Sequence, residues 1–82
     1  MSAIKRIFVA NRGEIAVRVI RTCRELGIET VLGVSEADRD TLGAKLATRV
    51  VCLGPARATE SYLKVDTVIE AAKGTGCDAV HP

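Results

Sequence analysis

Short apolar runs alternate along the chain with stretches in which apolar residues recur at helical spacing. Residues 7–10 form a continuous apolar run, which is typical of a strand buried on both faces. Apolar residues then recur at helical spacing over residues 15–26, and Gly27 supplies a natural C-terminal stop. Residues 30–34 are a second buried run. Residues 7–34 therefore have the length of a β-α-β crossover, which predicts two parallel strands. The apolar positions predicted to line the inner face of the helix are Ile15, Ala16, Val19, Ile20, Cys23 and Leu26.

The same alternation continues in the second half. Residues 42–48 are compatible with a short helix, residues 50–53 with a third strand, and the stretch up to Lys64 is irregular because Gly54 and Pro55 interrupt it. Residues 66–73 carry an apolar face and predict another helix, and residues 78–80 begin a fourth strand. The pattern predicts one domain over residues 1–82, a three-layer α/β domain with about four parallel strands and flanking helices.

Composition refines this picture. The chain is 48% hydrophobic but has no Trp, one Tyr and one Phe, so its core must be built from aliphatic side chains, as in parallel sheets. The net charge of +2 is too small for a strong field, and we expect neither nucleic acid nor a membrane as partner. Cys23, Cys52 and Cys77 lie far apart and predict free thiols in a reducing, cytoplasmic compartment. Cys23 and Cys52 are interpreted as small core residues.

A tight turn joins the first strand to the first helix. A strand, a turn and a helix N-terminus can hold an anion, which makes Asn11, Arg12, Gly13 and Glu14 weak candidates for an anion site. A dinucleotide fingerprint needs three glycines, and this turn has only Gly13, so a classical NAD site is not expected. A free-standing nucleotide- or phosphate-binding module remains the alternative function.

One face of the first helix is charged. Glu14, Arg18, Arg21 and Glu25 are spaced by four, three and four residues, and this charged stripe lies opposite the apolar face. Spacing alone favours a solvated face whose pairs contribute about 0.2 to 0.5 kcal/mol each. A contact surface between subunits is the other interpretation.

The string ANRGEIAVR at residues 10–18 resembles the opening motif of biotin carboxylases and of their pyruvate and acyl-CoA carboxylase relatives. Further segments agree with that family in order and spacing, and together they cover essentially the whole chain. No single segment is as specific as the ordered set. The additional segments are residues 24–28, 37–40, 54–56, 60–63 and 78–82.

The resemblance implies a Rossmann-like domain that precedes an ATP-grasp module. In that family ATP activates bicarbonate, Mg²⁺ assists, and the carboxyl group passes to biotin on a carrier protein or domain. The resemblance places the principal catalytic and metal-binding residues outside these 82 positions. We therefore expect no catalytic residue here, no cofactor bound by this chain alone, and a role as scaffold and subunit contact for the rest of the carboxylase.

The resemblance also assigns positions. It implies a homodimer formed through the first helix, for which Arg21 and Glu25 are the main interface candidates and Arg18 a neighbour. It places His81 and Pro82 near the biotin site, where His81 is expected to shape a turn rather than act as a general base. The acyl acceptor stays open between acetyl-CoA, other acyl-CoAs, pyruvate and urea.

Overall fold

A computed structural model of the protein describes residues 4–54 and 65–82. The predicted irregular stretch and the family-like segment at residues 60–63 lie outside the described residues. Strands and helices alternate, as the periodicity predicts. In chain order the elements are β1 (Arg6–Val9), α1 (Gly13–Glu25), β2 (Glu29–Ser35), a 3-10 turn (Glu36–Asp38), α2 (Leu42–Leu46), β3 (Arg49–Gly54), α3 (Val65–Gly74) and β4 (Ala79–His81).

The four strands form one parallel sheet in the order β3-β2-β1-β4. The chain builds outward from β1 to β3, and β4 then lies on the other side of β1. The strand order thus reverses between β1 and β4, and this reversal is the topological switch point of the sheet. The predicted parallel sheet of about four strands is confirmed.

Neighbouring residues of β1 face opposite layers. Phe8 packs with Val31, Leu53 and α3 on one face, and Val9 packs with Leu32 and α1 on the other. Both Phe8 and Val9 are fully buried. A strand covered on both faces needs a continuous apolar run, which explains residues 7–10. The predicted three-layer α/β architecture is confirmed.

The first helix ends as its sequence predicts. Gly27 has a φ of +73°, the left-handed conformation that glycine adopts without steric cost. Its N–H donates to the oxygen of Arg24 at 3.2 Å, and the Ile28 N–H donates to the oxygen of Cys23 at 2.8 Å. These two bonds are the Schellman pattern, so the orphan carbonyls of the last turn are satisfied.

Helix α2 is shorter than predicted. It ends at Leu46 because residue 47 turns to an extended conformation with ψ of 150°. Thr48 then pairs with β2: its N–H donates to Thr30 Oγ1 at 3.2 Å, and the Thr30 N–H donates to Thr48 Oγ1 at 3.0 Å. This reciprocal pair diverts Thr48 from the predicted helix.

Three residues predicted to be buried are exposed. Ile15 and Leu26 are 54% and 69% exposed. Helix α1 contacts the sheet through Ala16 and Ile20, whereas Ile15 lies on the flank of the helix and Leu26 is its C-cap residue. Cys52 is also exposed, so the prediction that it is a core residue is wrong. Cys52 lies on the edge strand β3, where its neighbours Val51 and Leu53 pack in the core cluster on the α3 side. Because side chains alternate along a strand, Cys52 lies on the opposite face, and the α1 layer does not cover it there. The core prediction for Cys23 is confirmed.

Candidate functional site

The candidate site lies at the carboxyl edge of the sheet, where β1 and β4 end side by side. The Ala10 N–H donates to the His81 oxygen at 2.8 Å, which continues the pairing of Val9 with His81. One position further, Asn11 Nδ2 donates to the main-chain oxygen of Pro82 at 3.2 Å. The opening motif and the final segment therefore meet at the switch point, where open α/β sheets bind their ligands.

Asn11 is bonded on both sides. Besides the bond to Pro82, its Oδ1 accepts the Arg12 N–H at 2.8 Å. Arg12 is the N-cap residue of α1 and supplies no side-chain cap of its own. Exchanging the amide's oxygen and nitrogen would oppose two acceptors on one side and two donors on the other, so the bonds fix its orientation. Asn11 is thus tied to β4 and to the start of α1 together.

Arg12 crosses from the end of β1 to the turn after β2. Its guanidinium Nη2 lies 3.4 Å from Asp38 Oδ1, and Asp38 Oδ2 accepts the buried Ser35 hydroxyl at 3.2 Å. Thr41 Oγ1 donates to the Asp38 main-chain oxygen at 3.0 Å. Sequence reasoning did not single out Asp38. The available signal was its spacing of three residues from Ser35, which suits a turn closed by side-chain hydrogen bonds.

The described geometry gives the anion-site interpretation of Asn11, Arg12, Gly13 and Glu14 no support. The positive charge of Arg12 is engaged by Asp38. Glu14 places a carboxylate in the first turn of α1, which complements the helix dipole and opposes an incoming anion. The adjoining cavity has a volume of about 80 Å³. Pockets that hold drug-sized ligands measure roughly 300 to 1,000 Å³, so this cavity is well below the size of such pockets.

The residues described here do not fit Mg²⁺-ATP either. Across residues 4–54 and 65–82, no three His, Cys, Asp or Glu side chains group together as metal ligands. His81 is exposed, and within the same ranges its imidazole has no hydrogen-bond partner. Burial raises the pKa of the Cys23 thiol, which favours the unreactive protonated form. That this chain carries no catalytic residue stays a prediction.

The charged stripe of α1 is on the surface. Arg18 Nη2 and Glu14 Oε1 form the predicted pair at 2.6 Å, and both side chains are about three-quarters exposed. Arg21 and Glu25 are also exposed, and in the described part of the chain neither has an ion-pair partner. Arg21 and Glu25, which are also four residues apart, therefore do not form an ion pair with each other within the helix.

The amino edge of the sheet holds a group of contacts that sequence reasoning missed. Arg6 donates from Nε and Nη2 to Glu29 Oε2 at 3.2 and 2.9 Å, and from Nη1 to the Thr75 oxygen at 2.6 Å. Asp78 Oδ2 accepts the N–H groups of Lys5 and Arg6 at 2.8 and 3.0 Å. These two bonds lower the pKa of the Asp78 carboxyl. The partners are distant in sequence and no local pattern connects them.

Comparison with known proteins shows the family to which this sequence and fold are similar. Residues 3–82 match the family described as the N-terminal domain of biotin carboxylase. Biotin carboxylase 1 of Bacillus subtilis is 56% identical over 79 residues, which cover 96% of this chain and 18% of that protein. The chain thus spans about a fifth of the length of its curated relative.

Solved structures agree in fold as well as in sequence. Kluyveromyces lactis urea carboxylase superposes with a TM-score of 0.91 at 39% identity, covering 94% of this chain and 7% of that one. The multifunctional pyruvate carboxylase of Rhizobium etli superposes with a TM-score of 0.87 at 44% identity, covering 99% and 9%. The resemblance predicted from the ordered motifs is confirmed. Within the described ranges, no helix is long and apolar enough to cross a membrane.

Proposed function

Because the chain belongs to the family of biotin carboxylase N-terminal domains, we propose that it is the scaffold and subunit-contact domain of a biotin-dependent carboxylase. The parent enzyme uses ATP, Mg²⁺ and bicarbonate to carboxylate biotin carried on a partner protein or domain. The observation that carries the proposal is the family match over residues 3–82. The adjoining cavity of about 80 Å³, which is smaller than pockets that hold drug-sized ligands, is in keeping with a framing role.

The carboxyl edge of the sheet is the part of the domain that we assign to the active site of the parent. His81 and Pro82 end β4 at the switch point, directly beside Ala10 and Asn11. We place this edge near the biotin site, with His81 as part of its wall. The exposure of His81 and the absence of a bonded partner in the described residues favour a shaping role over general-base chemistry.

The charged stripe of α1 is proposed as a contact between two copies of the enzyme. A two-fold interface is self-complementary, so an arginine of one subunit can meet a glutamate of the other. Arg21 and Glu25 are exposed and have no partner in the described residues, which leaves them available across such an axis. Arg18, beside them, already pairs with Glu14. The interface is therefore centred on Arg21 and Glu25.

The partners follow from the same proposal. They are the remainder of the carboxylase, its biotin carrier and a second copy, working in the cytoplasm, where the free thiols of Cys23, Cys52 and Cys77 are stable. Matched relatives include both a urea and a pyruvate carboxylase, so this domain does not select the acceptor of the carboxyl group.

The test compares a full-length carboxylase carrying this domain with the 82-residue chain. We expect the full-length enzyme to form ADP in a bicarbonate-dependent reaction and to carboxylate free biotin. The 82-residue chain is expected to do neither, because residues 4–54 and 65–82 present no phosphate clamp. Turnover by the pure chain above a denatured control contradicts this assignment. Calorimetry with ATP and NAD adds a second measurement, since tight binding by the chain alone favours the free-standing module.

A further inference from the structure

We propose that an apolar ridge on helix α1, formed by Ile15, Val19 and Leu26, is the hydrophobic part of the contact between two copies of the enzyme. The occupant of this ridge is a second copy of the same chain. The inference rests on the proposed function, because that function assigns the charged stripe of α1 to the same contact. It identifies the side chains that drive the association.

Two of the three ridge residues are large apolar side chains that the described fold leaves in solvent. Ile15 is 54% exposed and Leu26 is 69% exposed, whereas Val19 between them is half-buried against the core. Single exposed apolar side chains are ordinary on a protein surface. These residues differ because they lie in one row, next to the charged stripe.

The spacing of the three residues places them on one side of the helix. Ile15 and Val19 are four positions apart and Val19 and Leu26 are seven, which are about one and two helical turns. Leu26 is the C-cap residue, and its φ of −87° and ψ of −1° stay in the right-handed helical region, so it continues the row. Apolar residues at this spacing form the seams at which helices pack on one another.

Helix α2 packs on the other flank of α1. A Cβ built on Gly43 of α2 lies 3.8 Å from Val17 Cγ2. Val17 is two positions before Val19, which is a rotation of about 200° around the helix, so it faces away from the ridge. The pairing of α1 with α2 therefore leaves the ridge outside that contact.

The charged stripe borders the ridge and is self-complementary. A two-fold contact lets Arg21 of one copy meet Glu25 of the other, and both side chains are exposed. Exposed ion pairs contribute little to association, because water solvates and screens both charges. The interior of a stable protein contact is apolar and its rim is polar. The stripe fits the rim and the ridge fits the interior, which favours a second copy as the occupant.

Glutamine substitutions test the ridge in the full-length carboxylase that carries this domain. Ile15→Gln and Leu26→Gln replace an exposed apolar side chain by a polar one that helices accept, so both variants should fold. The matched controls, Ile69→Gln and Leu42→Gln, make the same changes at side chains that are 44% and 51% exposed. Ile69 lies on α3, in the layer on the other side of the sheet, and Leu42 is the first residue of α2.

We expect Ile15→Gln and Leu26→Gln each to raise the dissociation constant for self-association about tenfold, because each removes an apolar side chain that association buries. The two controls should stay within about twofold of wild type. Sedimentation velocity at several concentrations measures the constants, and circular dichroism shows that each variant is folded. Wild-type association should persist in about 1 M NaCl, since salt screens ion pairs and leaves apolar contacts intact.

Three results overturn the ridge. The first is wild-type association in both Ile15→Gln and Leu26→Gln. The second is equal weakening by the controls, because the effect is then not specific to α1. The third is unchanged association with a lowered Tm in the ridge variants, which means that another part of the same chain covers the ridge.

These results are distinguishable from failure of the proposed function. If Arg21→Glu weakens association and the ridge variants do not, the charged stripe stands as the contact and the ridge alone is overturned. A wild-type enzyme that stays monomeric overturns both stripe and ridge. If the enzyme associates but does not carboxylate biotin, the proposed activity fails, and sedimentation of the variants still decides the ridge.

Discussion

Arg6 and Asp78 are joined by two hydrogen bonds at the amino edge of the sheet: the Arg6 N–H donates to Asp78 Oδ2 at 3.0 Å, and the Asp78 N–H donates to the Arg6 oxygen at 2.8 Å. The first of these requires an acceptor on the Asp78 side chain. Because the residues lie at the starts of β1 and β4, the carboxylate helps to hold the edge strand against the centre of the sheet.

Asp78→Ala should therefore lower Tm in a pH-dependent way. The folded-state pKa of Asp78 lies below its ordinary value because the carboxylate accepts two main-chain hydrogen bonds. The bond from the Lys5 N–H is the larger cause and the bond from the Arg6 N–H is the smaller. Such a carboxylate stabilises the fold fully above its unfolded pKa of about 3.9, and this contribution is lost as the pH falls through the lower folded value. The Tm difference between wild type and variant should be constant above about pH 5 and should narrow below about pH 4. Circular dichroism melts between neutral and acidic pH measure it.

The control for this experiment is Asp40→Ala. Asp40 is also exposed but lies in the turn before α2, away from the amino edge. Its substitution should leave the pH profile of the wild type. A difference between Asp78→Ala and wild type that stays constant down to the acid transition would contradict the role of the charge.

Gly13 is required for its backbone conformation rather than for close packing. Its φ is +66°, and a Cβ built there meets no atom within 4 Å. Gly13→Ala should lower the free energy of unfolding by about 1 to 2 kcal/mol, the cost of a side chain in the left-handed region. Gly13→Asn should cost less, because asparagine tolerates this region. Gly13→Val should be the worst of the three, since a β-branched residue is least tolerant.

Urea unfolding of the Gly13 variants checks this, with Gly74→Ala as the matched control. Gly74 also has open space around a built Cβ, but its φ is not positive. We expect that control to be neutral or stabilising by up to about 1 kcal/mol. Equal effects of alanine at positions 13 and 74 would mean that backbone conformation is not what selects glycine at the turn.

Arg21→Glu should weaken self-association of the full-length enzyme by at least about tenfold in the dissociation constant, which corresponds to about 1.4 kcal/mol. The reversal places like charges at both copies of a two-fold contact, where they cost more than an exposed pair within a helix. Arg21→Glu combined with Glu25→Arg should recover much of the association. Sedimentation velocity at several concentrations measures all three proteins.

Arg39→Glu makes the same charge change outside α1 and serves as the control. Arg39 is exposed and lies in the turn before α2. It should associate like wild type. If Arg21→Glu also associates like wild type, the stripe is a solvated face and the interface lies elsewhere. Failure of the double variant alone would call into question only the pairing of Arg21 with Glu25.

The elements of this fold could be predicted because their signals are local. The run at residues 7–10 indicates a strand covered on both faces, and Gly27 ends α1 by a conformation that glycine favours. The exposure of Cys52 could not be predicted in the same way. A short apolar run at residues 50–53 is compatible with either a central or an edge strand, and only the sheet order places β3 at the edge.

In the candidate site too, local features could be predicted from the sequence and long-range contacts could not. The turn at residues 11–14 was visible as a motif, but its meaning depends on Asp38 and Pro82, which reach Arg12 and Asn11 only after folding. Without those contacts, Arg12 reads as an available cation and Asn11 as a loop residue. These contacts show that Asn11 joins the ends of β1 and β4, whereas the anion-site interpretation of the motif stays a prediction.

The strand order also has a consequence for how the domain is made. Asn11 and Pro82 lie 71 positions apart. At roughly 5 to 20 residues per second, a ribosome takes about 4 to 14 s to synthesise the chain between them. During that interval β1 and β2 can pair. The N–H and C=O groups on the other edge of β1 have no strand partner until β4 has been synthesised. The crevice at the switch point is therefore the last feature of the sheet to form. The nascent domain is most prone to wrong strand pairing in the interval before β4 pairs with β1.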